Sequence, residues 1–89
     1  MIVRELLILN KHGLHARPAT LWVQAAAKYQ SSIRLKTADR EVDGKSLLAI
    51  LSLGLSAGST VQLMVDGPDA EAAADALTQL VAELGEKES

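Results

Sequence analysis

The sequence predicts an α+β fold of order βαββαβα, a two-layer open-faced sandwich in which a four-stranded sheet is covered on one face by three helices. Three observations carry this expectation. Apolar residues alternate in short runs, which gives each strand a single buried face. Between those runs they recur at helical spacing. One-sided strands need cover on one face only, so helices layered on a sheet satisfy the pattern.

Each element can be justified in order. Ile2 to Leu9 reads as a strand with Ile2, Leu6 and Ile8 on one face, and Asn10 to Gly13 as a loop. A helix is expected from about Ala16 to Lys28, because Ala19, Trp22, Val23, Ala26 and Tyr29 form an inward stripe. Ile33, Leu35 and Thr37 alternate with Arg34 and Lys36, a half-buried strand. A turn near Ala38-Asp39-Arg40 leads to a return strand ending about Val42. Leu47 to Ser52 is a short helix stopped near Gly54, and Thr60 to Asp66 a strand with Val61, Leu63 and Val65 inward. Gly67-Pro68 opens the last helix, with Asp69 and Glu71 in a first turn where the dipole favours them. Ala70, Ala73, Ala74, Leu77, Leu80, Val81 and Leu84 share its stripe. Gly85 is expected to end it, leaving Glu86 to Ser89 frayed.

Composition narrows the function. The 89 residues are 48% hydrophobic and 22% charged, which describes one globular domain, residues 1–89, with no room for a second core. The aromatic residues are Trp22 and Tyr29, so the core must be small and aliphatic. With no cysteine, disulfides, thiolate metal sites and thiol catalysis are all excluded. No signal peptide or membrane span is visible, and a cytoplasmic location is expected. Nine basic residues against eleven acidic argue against a dedicated nucleic-acid binder. Basic residues prevail from Lys11 to Lys45 and acidic ones from Asp66 onward, so acidic partners would favour the first half.

The chemistry concentrates in Gly13-Leu14-His15-Ala16-Arg17-Pro18-Ala19. Pro18 suits a first helical turn, where a missing N–H costs nothing. His15 then falls at or beside the N-cap, with Arg17 just inside. Emergent amides of Ala16 and Arg17, the positive dipole end and a guanidinium make an anion site. A lone histidine before a helix is ordinarily a polar cap. With this cradle around it, it suits a nucleophile that carries a phosphoryl group.

This block resembles the active-site signature of HPr, the histidine phosphocarrier family of the bacterial phosphoenolpyruvate-dependent phosphotransferase system. Asp43-Gly44-Lys45-Ser46-Leu47-Leu48, followed by Ser52-Leu53-Gly54-Leu55 and Ala57-Gly58, is similar to the family's second signature, around its regulatory serine. The 31-residue separation of His15 and Ser46 also agrees. The resemblance implies antiparallel strand pairing. It also implies phosphoryl acceptance on Nδ1 of His15 from phosphorylated enzyme I, and delivery to enzyme IIA domains of sugar permeases. The residues themselves, with no metal cluster or positioned carboxylate near His15, call for no independent turnover and no cofactor, and nothing in the chain demands more than a monomer.

His12 and His15 read H-x-x-H, but they bracket Gly13 with no cysteine or nearby carboxylate to complete a shell, so no metal is expected. Gly44-Lys45-Ser46 has the ending of a P-loop, yet the first glycine that motif requires falls at Asp39. Ser46 is a natural N-cap for the helix beginning at Leu47. The resemblance adds regulatory phosphorylation there by an HPr kinase/phosphorylase, and with it a transcriptional regulator as partner. Leu47, Leu48 and Leu51, extended by Thr20, are expected to form an exposed docking patch. The competing functions are the regulatory nitrogen-related branch and a binding protein acting through Ser46 alone. Pro18 and Leu53-Gly54-Leu55 favour the sugar type over the first, and His15 argues against the second. A phosphate-hydrolysing enzyme lacks the carboxylate or metal cluster it would need.

Overall fold

The structure, a computed structural model, describes residues 1–9 and 16–88. Its elements are β1 (Ile2–Leu7), α1 (Ala16–Ala26), β2 (Ser32–Lys36), β3 (Glu41–Asp43), α2 (Leu47–Ser52), β4 (Thr60–Asp66) and α3 (Ala70–Glu88). The strands form one sheet of order β1-β4-β2-β3. Every neighbouring pair is antiparallel, as the resemblance implied.

Register explains why one face is apolar. Leu6 lies opposite Val61, and Leu63 is flanked by Arg4 on β1 and Leu35 on β2. Val65 stands between Ile2 and Ile33, and Val42 opposite Leu35. Because side chains alternate across a strand, these residues share the helix-covered face, and all of them except Ile2 and Arg4 are buried. Above them pack Ala19, Trp22 and Ala26 of α1, Ile50 of α2, and Ala70, Ala73, Ala74, Leu77 and Val81 of α3. The alanines let the two long helices sit close to the sheet, and Trp22 is the largest side chain sealed in the core.

Element boundaries differ from the sequence reading in five places, the last of them the start of α3. The first helix stops at Ala26, short of Lys28: Lys28 and Tyr29 donate to Ala25 and Ala26, three residues back, which tightens the last turn out of α-geometry. The first strand ends at Leu7, short of Leu9, because its partner β4 begins at Thr60, the residue opposite Leu7. Ile8 still exchanges bonds with Ser59 and Gly58 beyond the ladder. The second strand sits one residue earlier than expected, with Thr37 already in the turn. The last helix runs on through Gly85 to Glu88. Gly85 is a packing residue: a Cβ there would lie 2.8 Å from the Cβ of Leu9, too near for any larger side chain without a shift. It does not stop the helix, since a Gly stop relies on a left-handed backbone that Gly85 does not adopt.

The start of α3 also differs. Asp69 directly precedes the first helical residue, and its carbonyl accepts from Ala73 N. Its carboxylate, expected to serve the helix dipole, instead accepts from the amides of Gln30 and Ser31 and from the Ser31 hydroxyl. Ser31 Oγ in turn accepts from the Asp69 amide. Gly67 permits this approach: its φ is +151°, and a Cβ would lie 2.6 Å from Ser31 Cα. The α1–β2 connection is thereby tied to the β4–α3 connection.

These bonds, the Ser31 hydroxyl foremost, hold the Asp69 carboxyl below the usual aspartate range. A depressed folded pKa contributes stability above the ordinary aspartate value, and that stability is lost as pH falls through the folded value. Asp69→Asn should therefore be less stable than the parent at neutral pH. It should also lose less stability on acidification, a difference that urea unfolding midpoints measured across the acid range will show.

Candidate functional site

The first signature straddles the start of α1. His12 and His15 lie outside the described residues, and with them the H-x-x-H pair. The described part begins at Ala16, the first helical residue. Ala16 and Arg17 are exposed, while Pro18 and Ala19 are buried. The backbone amides of a first helical turn have no acceptor within the helix, so Ala16 and Arg17 present N–H groups at the positive end of α1. Pro18 needs no acceptor there, and its ring anchors the turn in the core. Thr20, half-buried one turn on, donates its hydroxyl to the Ala16 carbonyl at 2.7 Å, bracing the same turn. Expected as part of a docking patch, Thr20 has this second role that spacing alone did not suggest.

The second signature begins α2. Ser46 is its N-cap, with extended backbone, and its hydroxyl accepts from Ala49 N at 3.3 Å. The Ser46 carbonyl accepts from Ile50 N at 3.0 Å. The turn before it is closely knit. The Lys45 amide donates to the Asp43 carboxylate, and the Lys45 ammonium donates to the Tyr29 carbonyl at 2.7 Å, past the end of α1. Gly44 donates to the Ile33 carbonyl at 2.7 Å and accepts from the Trp22 indole at 2.9 Å. A Cβ on Gly44 would lie 2.6 Å from Ile33 Cγ2, so the Asp43-Gly44-Lys45 step has no space for another residue.

The apolar residues of α2 divide. Ile50 is fully buried, Leu47, Leu51 and Leu53 are half-buried against the core, and Leu48 is 80% exposed. On α1, which packs beside α2, Leu21 is 41% exposed, away from the Ala19–Trp22–Ala26 stripe. The sequence reading passed over Leu21. The signal was its position off that stripe, which left a large apolar side chain with nothing to cover it. It also passed over Arg40, whose guanidinium bonds Ser52 at the far end of α2. No periodicity marks a contact between a turn and a helix end. Among the described residues no three metal-ligating side chains converge, and no helix is long and apolar enough to cross a membrane.

The exposed start of α1, with Arg17, and the serine-capped α2 thus lie on one open antiparallel sheet, an arrangement that known proteins share. The family model described as the PTS HPr component phosphorylation site matches residues 2–83. The phosphocarrier protein HPr of Cupriavidus necator is 42% identical over 82 residues, covering 92% of each chain. A crystal structure of HPr from Thermoanaerobacter tengcongensis superposes with a TM-score of 0.95 at 42% identity, over the whole of both chains. A structure described as an HPr dimer from the same organism has a TM-score of 0.74 at 45% identity, over 80% of this chain and 82% of that one. The chain belongs to the HPr family, the phosphocarrier proteins of the phosphotransferase system. Members of this family carry phosphoryl groups and are not enzymes.

Ser46 allows a test of its local role apart from any modification. Ser46→Ala should cost about 0.5–2 kcal/mol of stability through loss of the cap, whereas Ser46→Asp, which can accept the same amide, should stay within about 0.5 kcal/mol of the parent. Thermal or urea unfolding of the three proteins measures this.

Proposed function

We propose that His15 is the phosphoryl acceptor, taking its cargo from phosphorylated enzyme I, ultimately from phosphoenolpyruvate, and passing it to enzyme IIA domains of sugar permeases. The observation that carries this reading is the coincidence of the Gly13–Ala19 signature with the start of α1. A family match that spans both signatures supports it.

The chemistry follows from neutral imidazole. One ring nitrogen, Nδ1 by family likeness, attacks phosphorus with its lone pair as the N–P bond on the donor histidine breaks. The donor ring, protonated at its other nitrogen, leaves as neutral imidazole, and the acceptor ring takes up the positive charge until it loses its own proton to water. The Ala16 and Arg17 amides and the Arg17 guanidinium take the phosphoryl oxygens while charge redistributes between attacking and leaving nitrogens. Running the step backwards on an acceptor histidine empties the carrier. Near neutral pH the unperturbed imidazole, with a pKa of about 6.5, is largely in the nucleophilic form.

Ser46 is the proposed regulatory phosphorylation site, modified by an HPr kinase/phosphorylase and read by a transcriptional regulator. A phosphate at the N-cap of α2 meets the favourable end of that helix, so the fold tolerates it. It adds about −1.5 to −2 charge at the rim of the proposed docking surface formed by Leu47, Leu48, Leu51 and Thr20. Repulsion from an acidic donor then slows transfer with no refolding.

Phosphoenolpyruvate with enzyme I should label one imidazole, located by mass spectrometry under non-acidic conditions, and His15→Ala should take no label. Normal labelling of His15→Ala would falsify the assignment. Arg17→Ala should accept phosphate about 10–100-fold more slowly, the loss expected for one charged donor at a partly exposed transition state. Ser46→Asp should reduce the transfer rate from enzyme I while its circular dichroism spectrum stays that of the parent. Equal rates would remove the electrostatic account of regulation.

A further inference from the structure

The helix proposed to meet partner proteins is too short to hold its own shape. Six residues are far fewer than the roughly 12–15 at which an isolated helix becomes even marginal in water. Its order must come from its two ends and from packing against the core, where Ile50 is buried and Leu47, Ala49 and Leu51 are half-buried. The N-terminal end is capped by Ser46. The C-terminal end is closed by three further contacts: Leu53 N to the Ile50 carbonyl, Gly54 N to the Leu51 carbonyl, and the Ser52 hydroxyl to the Ala49 carbonyl. The carbonyl of Ser52 itself is reached from elsewhere in the chain.

Arg40, in the β2–β3 turn, donates from Nη1 to Ser52 O at 2.8 Å and from Nη2 to Ser52 Oγ at 3.0 Å. One planar guanidinium thus spans both oxygens of a single residue, and it brings a positive charge to the negative end of α2. The turn that presents it is itself fixed. The Arg40 carbonyl accepts from Thr37 N at 2.8 Å, and the Thr37 hydroxyl donates to the Asp39 carboxylate. Asp39 therefore faces Thr37, and among the described contacts the Arg40 guanidinium reaches Ser52.

We infer that Arg40 is a positioning residue for the docking helix: by clamping the C-terminal end of α2 it keeps Leu48 and Leu51 in helical register, and so sets how tightly partner proteins engage. The inference rests on the proposed reading in which α2 meets enzyme I. Leu48 lies one turn before Ser52 and Leu51 directly before it, so both belong to the turn that frays when the clamp is lost. A partner that requires the helical arrangement binds more weakly in proportion to the fraction of chains that keep it. The inference places Arg40 in binding and gives it no part in the chemistry at His15, since its guanidinium is engaged at Ser52, at the C-terminal end of α2.

The test compares the parent with Arg40→Gln and Arg40→Lys in phosphoryl transfer from phosphorylated enzyme I. Arg40→Gln should raise KM for the carrier about three- to tenfold, with kcat within about twofold of the parent. Arg40→Lys, which keeps the charge but not the fork, should fall between them. Amide hydrogen exchange supplies a readout that does not involve enzyme I. In Arg40→Gln the amides of Leu53 and Gly54 should exchange faster, while that of Leu63 in the central strand keeps its parent rate. An unchanged KM, or exchange that quickens equally at Leu63, overturns the inference. A parent chain that takes no phosphate from enzyme I overturns the carrier reading and this inference together; a labelled parent with an unaltered variant overturns this inference alone.

Discussion

The hydrogen bond from the Trp22 indole to the Gly44 carbonyl joins the two halves of the site. Both partners are buried, and either one left unpaired would cost about 1–3 kcal/mol, so the bond fixes where α1 passes the turn before α2. Gly44 serves two elements at once, since its N–H is held by Ile33 of β2. Helix α1, strand β2 and the turn before α2 are therefore referred to one residue. Lys45, reaching back to the Tyr29 carbonyl, adds a second tie between the same parts. Helix α1 and the turn before α2 could not move against each other without breaking a buried polar contact.

Most of the fold was legible because it rests on burial. The inward residues of β4 and α3 lie where the pattern placed them, with Leu80 half-buried, and α2 and β4 have the limits the pattern predicted. Of the α1 stripe, Ala19, Trp22 and Ala26 are buried, while Val23 is half-buried and Tyr29 falls beyond the helix. What escaped the sequence depends on contacts between distant residues. Asp69 reads as a dipole-favoured first-turn acid, yet its carboxylate finds stronger partners in Gln30 and Ser31, 39 and 38 positions away. Gly85 reads as a helix stop, but what makes it glycine is Leu9, from the other end of the chain. The site shows the same division. Pro18, Ser46 and the break between Ile50 and Leu48 follow from local capping and spacing. Thr20 bonding its own helix, the outward turn of Leu21 and the reach of Arg40 to Ser52 do not.

Placement and exposure are assigned to different residues in this chain, and a carrier needs that division. Pro18, Ala19 and Trp22 are sealed in the core and fix the direction of α1, while Ala16 and Arg17 stand in solvent. In the proposed mechanism the exposed pair grips the phosphoryl oxygens. Two unit charges about 4 Å apart attract by about 1 kcal/mol in water and about 4 kcal/mol at the effective dielectric of a protein surface. A deeply buried arginine would hold the group several-fold more strongly still, and each additional 1.4 kcal/mol would slow release about tenfold. An exposed guanidinium on a rigidly anchored helix start orients the phosphoryl group without trapping it, so the group can leave as readily as it arrives.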